Sequence, residues 1–170
     1  MKRTFFGQLA LTLLLLTGCG PGADPLDWKV DASDPQAMQA WFDSKIPLMP
    51  TAMGREFSVC ISNIQITLPP ARTKEPLEKA HHLCARLNGK TVRDILIEGN
   101  ELSYQMILAR TKNQSDELVR LIGAGEGLTD YQRSELPDRI AAARAQLDES
   151  RQQLDRGEKR LAELRASPTR

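Results

Sequence analysis

An all-α fold, a small helical domain followed by a long amphipathic C-terminal helix with heptad character, is what this chain of 170 residues predicts. Three observations predict it. In successive segments from Met38 onward, apolar residues recur three and four apart, the spacing that gathers side chains on one face of a 3.6-residue helix. From Pro137 to Arg165 that spacing settles into a strict interval of seven, and only Gly157 interrupts the run. The C-terminal half is also dominated by Ala, Leu, Arg, Glu and Gln, with few β-branched residues, a composition that favours helix. Aromatic residues make up only 5% of the chain, which points to a modest core.

Residues 1–18 stand apart. Lys2 and Arg3 precede an apolar run from Phe5 to Thr17, and small residues follow, the order of a secretory signal peptide. The run is about 13 residues, against roughly 20 needed to cross a bilayer as a helix. Leu16-Thr17-Gly18-Cys19 resembles the lipobox of bacterial lipoproteins, matching at all four positions. That resemblance implies cleavage before Cys19, acylation of Cys19 and anchorage of the mature chain in the envelope through lipid, palmitate being one such chain. Residue 20 is Gly and not Asp; by the sorting rule of enteric lipoproteins this implies an outer-membrane protein facing the periplasm. Residues 19–28, rich in Gly, Pro and Asp, read as a tether.

The helical domain is expected over residues 29–122. Ser33-Asp34-Pro35 opens the first helix with a capping side chain and an early proline, and Met38, Trp41, Phe42 and Ile46 form its apolar face until Pro47 and Pro50 stop it. A second helix from Thr51 to about Ile66 carries Met53, Phe57, Ile61 and Ile64, with Cys60 on the same face. The β-branched content of Cys60 to Thr67 keeps a strand as the alternative. Pro76 opens a third helix with Leu77, Ala80, Cys84 and Leu87 on one stripe, closed by Asn88-Gly89. Thr91 and Asp94 have the spacing of a capping box for a fourth. Gly99-Asn100 is expected to weaken or end that helix, and the polar stretch from Asn113 to Asp116 to mark a further break.

Residues 123–127 contain three glycines in five positions and read as a hinge. They do not form a phosphate loop, because no strand precedes them and no Lys-Ser/Thr follows. Residues 128–166 are the long helix, opened by a capping box of Thr129 and Gln132. Ile140, Leu147, Leu154 and Leu161 fall seven apart, and Ala143, Ser150, Gly157 and Leu164 form a weaker companion column. These are the candidate interaction residues, either for self-association or for contact with another envelope protein, with docking on the chain's own domain as the plainer alternative. A parallel homodimer is disfavoured, because Arg139 would face Arg144 and Arg160 would face Arg165 across the seam. The thin stripe is expected to add contact surface while the residues before Gly123 supply most of the stability. Residues 167–170 read as a disordered tail.

Two passages, Lys29-Val30-Asp31-Ala32-Ser33-Asp34-Pro35-Gln36-Ala37-Met38 and Leu87-Asn88-Gly89-Lys90-Thr91-Val92-Arg93-Asp94-Ile95-Leu96, are similar, together with the lipobox, to a family of small helical bacterial lipoproteins of unknown function. The resemblance implies a helical envelope protein and no activity. In physical terms Leu-Asn-Gly-Lys-Thr is a helix stop followed at once by a helix start.

Chemistry is sparse. Without Lys2 and Arg3 the basic count falls from 23 to 21 against 22 acids, so no strong field is available to attract nucleic acid. Of three cysteines, Cys60 and Cys84 remain after Cys19, and in an oxidising compartment a disulfide between them is expected, worth roughly 3 kcal/mol for a loop of about 24 residues. His81, His82 and Cys84 are the one cluster of metal-type ligands, but adjacent helical residues point about 100° apart, and zinc takes three or four ligands. No cofactor, metal or catalytic constellation is expected. The sequence therefore implies a lipid-anchored protein working by contact. Its alternatives are a metal-binding envelope protein or enzyme using His81, His82 and Cys84, and a protein inhibitor or immunity factor.

Overall fold

The computed structural model describes residues 24–68, 76–124 and 129–166. Within them five helices follow one another: α1 (Pro35–Lys45), α2 (Thr51–Thr67), α3 (Pro76–Leu87), α4 (Val92–Gly123) and α5 (Asp130–Ala166). Short 3₁₀ turns occupy Pro25–Asp27 and Ile46–Leu48. The fold is all-α, as the composition and spacing predict; the strand alternative for Cys60 to Thr67 is excluded, since those residues complete α2. None of the described helices is long and apolar enough to cross a membrane. Residues 1–18, Cys19, Gly125 to Gly127 of the expected hinge and residues 167–170 lie outside the described residues.

Local chemistry sets the helix ends. The Asp34 carboxylate accepts hydrogen bonds from the amides of Gln36 and Ala37, both at 2.8 Å, satisfying two of the donors a helix start leaves open. At α4 the Thr91 hydroxyl accepts from the Asp94 amide at 3.1 Å and the Asp94 carboxylate accepts from the Thr91 amide at 2.9 Å, the reciprocal capping box. Thr129 and Gln132 repeat the device at α5. Part of the expected tether belongs to the folded chain: Asp24 caps the 3₁₀ turn at Pro25–Asp27, and Leu26 and Trp28 pack against the core.

The core lies where all five helices meet. Phe57, Ile64, Leu87, Val92, Ile95 and Leu96 are completely buried, with Leu164 of α5 joining them. Trp41, Phe42 and Phe57 contact one another with ring centroids 5.9–6.2 Å apart. Each such side chain contributes roughly 1.5–3 kcal/mol when removed from water.

Two expected breaks are absent, because α4 is a single helix of 32 residues. Gly99 is not a stop but a contact: a Cβ there would lie 2.2 Å from Cys60 Cβ and 2.5 Å from its Cα, so α2 rests directly on the α4 backbone. Asn100 turns back to the Leu96 carbonyl at 2.8 Å and donates to Glu56 at 3.0 Å. Asn113 to Asp116 continues the helix, supported by α5 running antiparallel beside it. The ties that fix this direction are Arg93 to Leu164, Glu101 to Arg165 and Arg110 to Gln153.

The molecule therefore has a base and an arm. Contacts from α1–α3 reach the first turns of α4, through Gly99 and Asn100, and the last turns of α5, through Arg160 and Leu164. Beyond Tyr104 and before Gly157 the two long helices continue as a pair, about 30 Å in length at 1.5 Å per residue. Leu121, Leu147 and Ser150 are buried in the seam between them.

Candidate functional site

The two passages from Lys29 to Met38 and from Leu87 to Leu96 meet in space. Residues Trp28–Ala32 run alongside the corner between α3 and α4. Val30 donates its amide to the Lys90 carbonyl at 2.9 Å and accepts from Gly89 at 3.0 Å, and Val92 donates to the Trp28 carbonyl at 2.9 Å. A bridge joins Lys29 to Thr91. Gly89 sits at φ 74°, a conformation it reaches without the Cβ penalty. The Asn88 side-chain oxygen accepts from the Ala32 amide at 3.1 Å, and Trp41 Nε1 donates to the Lys29 carbonyl at 2.9 Å. Leu-Asn-Gly-Lys-Thr is thus a receptor for the chain's own incoming segment. Glu98 completes the corner by accepting from Arg86 and Lys90. Burial alone would raise the Glu98 pKa, but the two cations more than offset it and hold the carboxyl below its ordinary range.

Arg93, which the sequence does not single out, ties this corner to α5. It is buried, donates to the Leu164 carbonyl at 3.3 Å and pairs with Asp27 at 3.2 Å. One guanidinium therefore bridges the incoming chain, the start of α4 and one of the last carbonyls of α5, where a helix accepts cations. The signal was present: a cation in the first turn of α4 stands at the wrong end of that helix's dipole and calls for an outside partner.

A second polar junction joins α2 to α5. Arg160 donates to both oxygens of Glu56, at 2.9 and 2.8 Å, and also to Glu163. Burial alone would raise the Glu56 pKa; the hydrogen bonds from Arg160 and Asn100 outweigh it, and the carboxyl lies below its ordinary range. The hydrogen bonds to Glu56, and then to Glu163, raise the Arg160 pKa above its ordinary value.

The expected disulfide is not formed: Cys60 and Cys84 are both free and buried. Their stripes face different neighbours. Cys60 lies against Gly99 and the Leu96 carbonyl of α4, whereas Cys84 lies 3.8 Å from the Met38 sulfur of α1. Burial pushes the Cys60 thiol up to about 12, with the Glu56 charge adding to it. Burial raises Cys84 as well, ahead of the Asp34 charge. Both are therefore protonated, enclosed thiols, not nucleophiles. The metal-type cluster does not converge, since Cys84 points into the core while His81 is exposed. Among the described residues no three His, Cys, Asp or Glu are placed to hold an ion.

The heptad seam is turned onto the chain's own α4. Leu147 and Leu161 are buried, Ile140 and Leu154 are half-buried, and in the companion column Ser150 and Leu164 are buried. Tyr104 packs beside Gly157, where a Cβ would meet its ring at an ordinary contact distance of 3.5 Å. The seam residues are thus internal contacts, and what the arm offers outward is a different surface. On α4, Leu108 is 44% exposed, Ile122 55% and Val119 67%. A groove beside them, bounded by Leu108, Thr111, Lys112 and Ser115, reaches Leu147 and Arg151 of α5. Comparison with protein-family models, with curated proteins and with solved structures finds no match.

Proposed function

We propose that this chain is a lipid-anchored protein of the bacterial envelope, placed in the outer membrane by Gly20, that acts by contact and not by catalysis. Acylated Cys19 holds the base, and the α4–α5 arm presents the contact surface. The observation that carries the reading is Leu16-Thr17-Gly18-Cys19 behind Lys2, Arg3 and an apolar run. Two or more acyl chains hold a protein firmly, at about 0.8 kcal/mol per buried methylene. Between Cys19 and Asp24 the chain can span about 17 Å at most, which keeps the base, where Asp27 is tied to Arg93, near the bilayer. The non-catalytic half of the reading is supported by two enclosed thiols and by carboxylates such as Glu56 and Glu98 engaged in ion pairs within the fold.

The test is metabolic labelling with a clickable fatty acid. The wild-type chain should take up label and Cys19→Ser should not, accumulating instead as unprocessed precursor. An unlabelled wild-type chain would refute the anchor. A photoreactive amino acid at Val119, used in intact cells, then reports what the arm touches.

A further inference from the structure

Successive helical residues turn by about 100°, so Leu108, Lys112, Ser115, Val119 and Ile122 fall within roughly 80° of one another on α4, with Asp116 at their edge. This strip lies on a flank of the arm, not in its seam. Three of its members are large and exposed apolar residues. Lys112 and Asp116 are exposed, and neither forms an ion pair among the described residues. The order of the residues along the strip is the informative feature. Leu108 and Ile122 stand seven positions to either side of Ser115. The small residue is central and the large apolar ones are terminal.

We propose that this flank is the contact surface for a second copy of the chain, the two α4 helices lying antiparallel about a two-fold axis at Ser115. An interface of this kind sets each surface against itself. Leu108 meets the partner's Ile122 and the reverse, while the Ser115 side chains let the helices approach at the axis. Lys112 comes within reach of the partner's Asp116, giving two symmetry-related ion pairs from one sequence. With the axis at Ser115, α4 overlaps its partner from about Ile107 to Gly123, about 25 Å, and a face about 20 Å wide, two helices across, offers on the order of 500 Å² per copy. The resulting total of about 1,000 Å² falls below the standard interface size, in the range of weak associations. Confinement of both copies to one membrane adds effective concentration. The proposal rests on the arm being the contact surface and names its occupant.

The experiment uses the full chain in intact cells with a membrane-permeant bismaleimide. Cys60 and Cys84 are buried, so native background is low. Ser115→Cys should yield a crosslinked homodimer, and Asn113→Cys, on the opposite flank, should not. Sedimentation of the lipidated protein in detergent measures the ion pairs. Lys112→Glu should weaken association about tenfold, and Lys112→Glu with Asp116→Lys should restore it. All four positions are exposed or half-exposed, and an unchanged helical melt confirms folding. Absence of a Ser115→Cys homodimer, equal crosslinking at Asn113→Cys, or no rescue by the charge exchange overturns the proposal. A Ser115→Cys adduct with a different protein overturns the homodimer but leaves the arm as the contact surface. No adduct of any kind defeats both.

Discussion

The base and the arm are built from the same two helices, yet they are held by different means. In the base, α4 and α5 share a core with three other helices: Ile95, Leu96 and Leu164 are buried on several sides, and Arg93 and Arg160 knit α5 to the chain segments around it. In the arm, each helix has one neighbour, and Leu121, Leu147 and Ser150 are the buried members of a single seam. An isolated helix is marginal in water, and a pair gains only one shared face. The difference teaches that helix length and stability are set separately in this molecule. The arm owes its continuity to pairing, and its permanence to being rooted in the base.

The largest effect should come from Gly99→Val. A side chain there has no room against Cys60, so α2 would have to leave α4; we expect a loss of about 3 kcal/mol or more and a collapsed melting transition. Leu164→Ala should cost roughly 2–4 kcal/mol in denaturant unfolding, because its side chain belongs to the core. Leu147→Ala, in the two-helix seam, should cost clearly less. If the two were equal, the division into base and arm would be broken. The Leu164 result also bears on the expectation that residues before Gly123 supply most of the stability: with Leu164 and Arg160 in the base, truncation after Gly125 should destabilise it and not leave it intact.

Glu56→Gln should cost about 1 kcal/mol at neutral pH. The carboxyl's folded pKa is depressed, so its contribution is present above the unfolded carboxylate range, near 4, and is lost as pH falls through the lower folded value. Wild type and Glu56→Gln should therefore converge in stability below about pH 4; parallel pH curves would show that the ion pair is not what docks α5 on α2. The smallest effect should be Val119→Ser, within about 0.5 kcal/mol, since that side chain meets mostly solvent in the single chain.

Much of the local structure was legible residue by residue. Asp34-Pro35, Thr91 with Asp94, and Thr129 with Gln132 announce helix starts because capping is local chemistry, confined to three or four neighbours. What the sequence hides is which face meets which. Gly99 reads as a breaker because propensity takes no account of a helix crossing above it. Cys60 and Cys84 both lie on apolar stripes, which reveals that they are buried but not that one faces α4 and the other α1. Alkylation checks that correction directly: the native chain should resist, and the denatured, unreduced chain should be modified at both. The pairing of Trp28–Ala32 with the Leu87–Lys90 corner spans nearly sixty residues of sequence, as in the bond from Ala32 to Asn88, and no local pattern encodes it. The heptad of α5 was visible, but a seam does not name its partner, and the partner is α4.

Native-state hydrogen exchange tests the division of base from arm most directly, because it reports the free energy of opening at each amide. The account predicts that the amides of Phe57, Ile95, Leu96, Leu161 and Leu164 exchange only through global unfolding. Those of residues 115–121 and 133–143 should exchange through smaller local openings, in order from the tip inward. Uniform protection along α4 and α5, equal to that of Phe57, would contradict it.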